Sequence, residues 1–202
     1  MDHDEIVRLY GPWVQRGPDD VADLFAGYDG LWWIAGGWAI EAFAGPHRSH
    51  DDIDPSIPQR DIPALRAHLA GRYDIWQADD GSLRPLVSET DPVSDTCENL
   101  WLRRSGADPW EYDFILMDAS STTWTFKRDA RIRRSLPDIV WERAGIPYLR
   151  PEVQLLHKAQ GLRPKDQLDF DACRPLLNTD SRDWLRWALG LAHPAHPWLK
   201  ML

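Results

Sequence analysis

The sequence predicts a chain of the α+β class, with strands concentrated in its middle and helices at its end. A short apolar run bounded by glycines, Leu31–Ala35, is followed by Gly36-Gly37, a short helix and a second strand. Strand-like runs then recur at 73–77, 99–103, 110–117 and 122–126. From Asp138 onward the spacing of apolar residues is helical.

The first sixty residues predict two helices, two strands and a helix between the strands. The helices cover 5–15 and 19–27, the second beginning at acidic residues after Pro18. Residues 31–35 form a buried strand, and a helix runs from Trp38 to the stop at Gly45-Pro46. A second strand covers 52–57 and is ended by Pro58.

A further helix is predicted over 61–70, ended by Gly71. Residues 79–95 are rich in Asp, Ser, Gly and Pro and predict a loop or a hairpin. The run 110–117 turns apolar after Asp113, which predicts a central strand that carries an acid into the interior. Helices follow at 151–161, 165–177 and 181–191. We therefore predict an α/β core over 1–130 and a helical C-terminal subdomain over 131–202.

Composition predicts a soluble globular protein, since 43% of the 202 residues are hydrophobic and 27% are charged. No run approaches the length of a membrane span and the N-terminus is acidic, so we expect neither a membrane segment nor a secretory signal, and a cytoplasmic location. Cys97 and Cys173 have no metal-ligand spacing and are expected to be free thiols.

Charge is distributed unevenly along the chain. Residues 1–126 carry 23 acidic side chains, nine arginines and no lysine, whereas residues 127–202 carry 14 basic and nine acidic side chains. An acidic part favours metal ions and cationic substrates, and a basic part supplies counter-charge for phosphates. A net charge of -9 argues against a nucleic-acid duplex as partner.

Asp52 and Asp54 stand two residues apart in the predicted strand, so both carboxylates are expected on one side of it. Paired oxygen ligands suit Mg²⁺, which substrate phosphates usually complete. The glycines at 36 and 37 would let the backbone approach a triphosphate at a helix N-terminus. Acid pairs and Gly-Gly turns also occur as solvated strand ends and plain turns, but their conjunction, with Arg48 and His50 beside the acids, favours a nucleotide and metal site.

Longer motifs carry a resemblance to a known family. The runs 36–40 and 48–54, then 145–159 and 163–170, resemble the aminoglycoside 2″-adenylyltransferase-like branch of the DNA polymerase beta-like nucleotidyltransferase superfamily. The resemblance covers residues 31–177. It implies a small mixed β-sheet flanked by helices, with a helical C-terminal part.

The resemblance also implies roles for individual residues. Asp52 and Asp54 match the metal-binding carboxylates, and Gly36 and Gly37 match the triphosphate turn. Asp113 is the expected third acid, which would complete the metal site and accept the proton of the attacking hydroxyl, with Glu111 on the same face as an alternative and a structural acid as the other interpretation. Further candidates for nucleotide contacts are Arg48, His50, Lys158 and Lys165, although His50 also suits packing of the turn, and the two lysines also suit a surface role.

The implied reaction is Mg²⁺-dependent transfer of AMP from ATP to a hydroxyl of a small molecule, with pyrophosphate leaving. A cationic, aminoglycoside-like antibiotic would suit the acidic part of the chain by charge. The alternatives are a toxin–antitoxin-type enzyme that acts on protein or RNA, and a catalytically silent nucleotide-binding protein. Pro55-Ser56 motivates the silent alternative because the family has apolar strand formers there, so either Asp54 is held differently or the strand lies at a sheet edge. The acceptor, the preferred base of the nucleotide and the oligomeric state are left open.

Overall fold

The structure, a computed structural model, describes residues 3–46 and 48–202. Its helices in chain order are α1 His3–Tyr10, α2 Pro18–Leu24, α3 Gly36–Ala44, α4 Ile62–Leu69, α5 Pro151–Lys158, α6 Pro164–Cys173 and α7 Thr179–Ala192. Its strands are β1 Trp33–Ile34, β2 Pro55–Pro58, β3 Asp74–Asp79, β4 Ser82–Pro85, β5 Asn99–Arg103, β6 Tyr112–Met117, β7 Thr123–Thr125, β8 Arg133–Ser135, β9 Val140–Arg143 and β10 Ile146–Leu149. None of these helices is long and apolar enough to cross a membrane.

The described chain forms two compact units. Unit 1 contains the residues up to Ile34 and His50–Met117, and unit 2 contains Ala35–Ser49 and Asp118–Leu202. The division at residue 130 that the sequence predicts stays a prediction, because it concerns folding domains rather than groups of residues in contact.

Unit 1 is built on a mixed sheet whose strands lie in the order β4-β3-β5-β6-β2-β1. The pair β2/β6 is parallel, and the other neighbouring pairs in this order are antiparallel. The predicted α+β class with a small mixed sheet is thus confirmed. Unit 2 contains α3, the hairpins β7–β8 and β9–β10, and the helices α5, α6 and α7. The three predicted C-terminal helices are confirmed within a few residues.

Aromatic side chains join α1 to the sheet of unit 1. Trp101 meets Tyr10 and Trp13 edge to face, with ring centroids 5.6 and 5.0 Å apart. The indole Nε1 of Trp110 donates a hydrogen bond to the carbonyl of Tyr10 at 2.9 Å. Arg103 lies over the rings of Trp76 and Trp110, at 4.7 and 4.3 Å from their centroids. These contacts fix α1 against β5, beside the strand that carries Asp113.

Three predicted elements are wrong at their beginnings or ends. The first helix ends at Tyr10 rather than near residue 15, because Gly11-Pro12 follows. The helix predicted from Trp38 begins at Gly36, so the two glycines form its first turn rather than a separate turn before it. The strand predicted over 52–57 begins at Pro55, and Asp52 and Asp54 precede it in an irregular segment.

The helical spacing inferred from Asp138 is wrong for residues 140–149, which form the hairpin β9–β10. Its two-residue turn, Ala144-Gly145, has positive φ angles of 52° and 80°, as hairpin turns that match strand twist require. Trp141 and Tyr148 face each other across the strands. For 79–95, of the two predicted alternatives, the hairpin β3–β4 forms, turning at Asp80-Gly81.

Pro55 does not place β2 at an edge, as one interpretation of the sequence had it. The strand lies between β6 and β1, with Pro55 opposite Ile34 and Pro58 opposite Met117. The prolines are the first and last residues of β2, the positions at which a missing N–H is best tolerated in a sheet. The strand therefore keeps its central position although proline stands at both ends.

Candidate functional site

Three carboxylates of unit 1 act on one another electrostatically. Asp113 lies in β6 opposite Trp101 of β5, and Asp52 and Asp54 precede β2, the parallel neighbour of β6. Loss of water raises the pKa of Asp113 well above its usual value, and the negative charges of Asp54 and Asp52 raise it further. A hydrogen bond of 2.7 Å from Asn99 Nδ2 to Asp113 Oδ1 acts in the opposite direction. Negative charge is thus concentrated where the parallel strands β2 and β6 begin.

Replacing Asp113 with Asn should make the metal-free protein more stable at pH 8, by about 1 kcal/mol, because a partly desolvated charge that its acidic neighbours repel is removed. The folded pKa of this acid lies above the unfolded value of about 3.8. The destabilisation is therefore fully present above the folded pKa and disappears as the pH falls through it toward the unfolded pKa. Urea unfolding in EDTA at pH 8 and pH 4 measures the difference. An advantage of Asp113→Asn that is equal at both pH values would contradict this electrostatic explanation.

Glu111, the alternative third acid, has a different environment. Its side chain is 4% exposed and accepts hydrogen bonds from Arg16 Nη2 at 2.8 Å, Arg104 Nε at 3.1 Å and Tyr73 Oη at 3.2 Å. Two arginines thus neutralise this carboxylate, whereas Asp113 faces two further acids. Glu111 ties the segment before α2 to the sheet.

His50 and the segment that follows it are anchored from the N-terminal part of unit 1. The His50 side chain is buried, and its backbone carbonyl accepts a hydrogen bond from Gln15 Nε2 at 3.0 Å. Asp51 is exposed, Asp52 and Asp54 are partly exposed, and Ile53 between them is buried. The buried Ile53 side chain holds the two flanking acids partly in solvent.

The glycine pair begins α3 in unit 2. Gly36 has a φ of 65°, and its N–H donates a hydrogen bond to Gln154 Oε1 of α5 at 2.8 Å. Both glycines are buried. A helix N-terminus presents N–H groups and a positive dipole end, which favour anions such as phosphates.

Changing Gly36 to Ala should destabilise the protein by about 1–2 kcal/mol, because a Cβ is unfavourable at positive φ. Gly190 supplies a matched control, since it lies exposed within α7 and an added Cβ would meet no atom within 4 Å. Gly190→Ala should stabilise by about 0.5–1 kcal/mol, because alanine has the higher helix propensity. Chemical denaturation of both variants checks the opposite signs, and equal signs would contradict the conformational assignment.

A charge cluster, defined here as Arg48, Lys158, Arg163, Asp166 and Asp169, lies in unit 2 around the two buried acids. Arg48 donates two hydrogen bonds to Asp169, from Nε to Oδ1 at 2.7 Å and from Nη2 to Oδ2 at 3.1 Å. Lys158 Nζ lies 2.7 Å from Asp169 Oδ2 and 3.5 Å from Asp166 Oδ1. Arg163 Nε donates to Asp166 Oδ2 at 2.8 Å. The cluster carries three cations and two carboxylates, so one positive charge is in excess.

Lys158 and Gln154 stand four residues apart on α5 and share one face of the helix. The helix therefore presents a buried ammonium group on the same side as the amide that binds the N-terminus of α3. Lys165 differs from Lys158, because it is exposed in the first turn of α6. Its contact with phosphate stays a prediction.

Four residues that build these sites were not singled out from the sequence: Asn99, Gln154, Asp166 and Asp169. Asp166 and Asp169 are fully buried and stand three residues apart on α6. That spacing on a helix with few apolar residues was the available signal for a shared, charged face. Asn99 and Gln154 left no such signal, since their partners lie 14 and 118 residues away in the chain.

Within residues 3–46 and 48–202, no three His, Cys, Asp or Glu side chains are grouped so that they could hold one metal ion. Oxygen-only donor sets with one or two carboxylates nevertheless match Mg²⁺, which keeps waters and takes substrate phosphates as its other ligands. The charge that Asp52 and Asp54 impose on Asp113 marks where such an ion would relieve repulsion.

Comparison with known proteins identifies relatives of the chain. The model of a family described as aminoglycoside-2''-adenylyltransferase matches residues 19–172. No curated protein matches the chain.

Solved structures share the fold at low sequence identity. A lincosamide antibiotic adenylyltransferase, LnuA, with lincomycin bound, is 19% identical with a TM-score of 0.52, over 79% of this chain and 95% of that one. ANT(2")-Ia in complex with adenylyl-2"-tobramycin is 14% identical with a TM-score of 0.51, over 86% and 95%. The solution structure of ANT(2'')-Ia is 18% identical with a TM-score of 0.52, over 96% of each chain.

Proposed function

The chain belongs to the aminoglycoside-2''-adenylyltransferase family, and from this membership we propose that it transfers AMP from ATP to a hydroxyl group of a small antibiotic, releasing pyrophosphate. The observation that carries the proposal is the placement of three acids on neighbouring parallel strands: Asp113 lies in β6, and Asp52 and Asp54 immediately precede β2, so that their charges raise the pKa of Asp113. Converging like charges are costly in a folded protein, and they are typical of sites that bind a cation or move a proton.

Mg²⁺ is the cation that fits the donor chemistry, and Asp52 and Asp54 would hold it together with phosphate oxygens of the nucleotide. Bound there, it would neutralise negative charge on the phosphates and assist the departure of pyrophosphate. With these ligands, the ion does not need Asp113 as a third protein ligand.

Asp113 is proposed as the group that accepts the proton of the attacking hydroxyl. Its position in β6, beside the segment that carries Asp52 and Asp54, puts a carboxylate next to the proposed cation, where it would meet the attacking hydroxyl. Asn99 and Trp101 orient this carboxylate by their side-chain hydrogen bonds to it. Glu111 is unsuited to the role, because Arg16, Arg104 and Tyr73 already occupy its oxygens.

The N-terminus of α3 is proposed as the triphosphate-binding element. Gly36 and Gly37 leave its first turn without side chains, so phosphate oxygens would approach the backbone N–H groups of that turn, apart from that of Gly36, which donates to Gln154 Oε1. Lys158 and Arg48 would contribute mainly through the net positive charge of the charge cluster, since Asp169 already binds both side chains. His50 would hold the segment leading to Asp52 in place.

An acceptor panel tests the proposed function. Purified protein with ATP and Mg²⁺ is offered tobramycin, lincomycin and an uncharged sugar, and pyrophosphate release and product mass are measured. We expect release with at least one antibiotic and a product heavier by one AMP group. Mg²⁺-dependent ATP binding without turnover on any acceptor would contradict the transferase proposal and favour a silent nucleotide-binding protein. If the protein were incubated with radioactive ATP and a macromolecule became labelled instead, the result would favour the toxin-like alternative.

A further inference from the structure

A cavity of about 170 Å³ lies within unit 2, at the end of α3 that is remote from the glycine pair. Phe43, which lines it, stands about two turns after Gly36 in α3, roughly 10 Å further along the helix axis. Strand β9, the beginning of α5 and the segment that leads into α7 supply other parts of the wall, through Trp141, Arg150, Leu177 and Ser181. The cavity is therefore separate from the residues proposed for the reaction.

Apolar side chains give the cavity room for a ring. Phe43 and Trp141 meet edge to face, with ring centroids 6.0 Å apart, and Leu177 is a buried aliphatic part of the wall. An engineered apolar cavity of about 150 Å³ in another protein binds benzene, so a volume of this size holds one six-membered ring. Aromatic walls favour a planar ring as the occupant.

Nitrogen donors without acceptors belong to the same wall. Trp141 Nε1 and Arg150 Nε are shielded from water and have no hydrogen-bond partner among the described residues. Ser181 adds a hydroxyl from the first turn of α7, and this residue is only 9% exposed. Buried N–H groups without acceptors are costly, and each calls for an explanation such as a bound water, ion or ligand. The wall thus favours an occupant that carries acceptor atoms.

Charge in the cavity favours an anion. Its charged lining residues are Arg150 and Glu152. Glu152 accepts a hydrogen bond of 2.7 Å from Arg134 Nη1, which neutralises it. No carboxylate of the described residues pairs with Arg150, so one positive charge is left at the cavity. The positive dipole end of α7, where Ser181 lies, acts in the same direction.

We propose that this cavity is a binding site for a small aromatic carboxylate, with the ring against Phe43 and Trp141 and the carboxylate against Arg150 and Ser181. A planar carboxylate matches the donor fork of arginine. A phosphate dianion would carry more charge than Arg150 neutralises and would be repelled by Glu152. The inference goes beyond the proposed function and does not depend on it, since none of the described lining residues belongs to the acids, the glycine pair or the charge cluster.

Benzoate is the probe for this site, and benzamide is a neutral molecule of nearly the same shape. Ligand-observed NMR titration of the full chain should show saturable binding of benzoate. Benzamide should bind at least about fivefold more weakly, because it lacks the charge that strengthens a hydrogen bond to arginine. Benzoate should also raise the melting temperature, since a ligand that binds only the folded state stabilises it.

Substitution of Arg150 tests the charge directly. Arg150→Gln should weaken the binding of benzoate at least about tenfold, equivalent to about 1.4 kcal/mol, and should abolish the preference over benzamide. Arg150→Lys keeps the charge but not the fork and should lose less, about threefold. Arg186→Gln, at an exposed arginine of α7, is the matched control and should bind both molecules as the wild type does.

Ser181→Ala supplies a second variant that leaves Arg150 intact, and it should weaken benzoate by about twofold to threefold through the loss of one hydrogen bond. Unchanged benzoate binding in both Arg150→Gln and Ser181→Ala, or no saturable binding by the wild type, would overturn the proposed site. Displacement of benzoate by ATP or by tobramycin would assign the cavity to a substrate of the transferase and would equally overturn it. Turnover in the acceptor panel would be unaffected by any of these results.

Discussion

Asp54→Asn is expected to reduce adenylyl transfer by at least about 10³-fold, or roughly 4 kcal/mol of transition-state stabilisation. The amide has nearly the shape of the carboxylate but lacks the charge that would hold Mg²⁺ beside the phosphates. Asp52→Asn should behave in the same way. Pyrophosphate release at saturating ATP and Mg²⁺, with the acceptor that the panel identifies, measures the effect.

Asp51→Asn is the matched control, because Asp51 is the exposed neighbour of these two acids. It should retain nearly full turnover. Stability provides a second control, since the negative charge of Asp54 contributes to the raised pKa of Asp113. Asp54→Asn should therefore unfold at a temperature no lower than the wild type in EDTA. Turnover of Asp54→Asn at the wild-type rate would contradict the proposed mechanism. Failure of this variant to fold would show that Asp54 has a structural role.

Asp169→Asn should destabilise the protein by about 3–5 kcal/mol, because it leaves buried cations without their compensating charge. Asp169 is fully buried and binds both Arg48 and Lys158, whose side chains are 13% and 6% exposed. For a chain of this size the loss corresponds to a melting temperature lower by roughly 6–20 °C. Urea unfolding at pH 7 measures the free energy directly.

Asp171→Asn is the control for this variant, because Asp171 is an exposed acid on the same helix. It should change the free energy of unfolding by no more than about 0.5 kcal/mol. A loss below about 1 kcal/mol in Asp169→Asn would contradict the assigned role of a buried ion pair.

Acid should weaken the same cluster. Burial raises the pKa of Asp166, but the hydrogen bond from Arg163 and the charges of Lys158 and Arg163 outweigh it, so the pKa lies below its ordinary value. The stabilisation is then present above the unfolded pKa and lost as the pH falls through the folded pKa. Ionisation of Asp166 therefore stabilises the folded state, whereas ionisation of Asp113 destabilises it.

Local patterns predicted most elements of the fold. Apolar runs with short glycine or proline boundaries were sufficient for the strands that carry Asn99 and Asp113 and for the three C-terminal helices. The exact starts were not predictable in this way. Gly36 and Gly37 belong to α3 because Gln154, far along the chain, accepts a hydrogen bond from the first of them. The hairpin over 140–149 was not predictable either, because its turn needs a positive φ at Ala144, which an alanine side chain does not favour.

The candidate site was predictable in part, for the same physical reason. Asp52 and Asp54 are close because they stand two residues apart in the sequence. Their effect on the pKa of Asp113 was predictable because the apolar run that carries Asp113 indicated a central strand of the same sheet. Partners across long loops were not predictable, since spacing carries no information about them. Arg48 was predicted as a nucleotide contact from its position beside the acids, and Lys158 from the resemblance. Their bonds to Asp169 depend on the packing of α6.

Asp52 and Asp54 are proposed to hold a divalent cation against a bound nucleotide. A crystal structure with Mg²⁺ and a nonhydrolysable ATP analogue tests it most directly. The predicted result is one Mg²⁺ ion with carboxylate oxygens of both residues at about 2.1 Å and the remaining positions filled by phosphate oxygens and water. A nucleotide-bound ion that contacts neither carboxylate would contradict the claim.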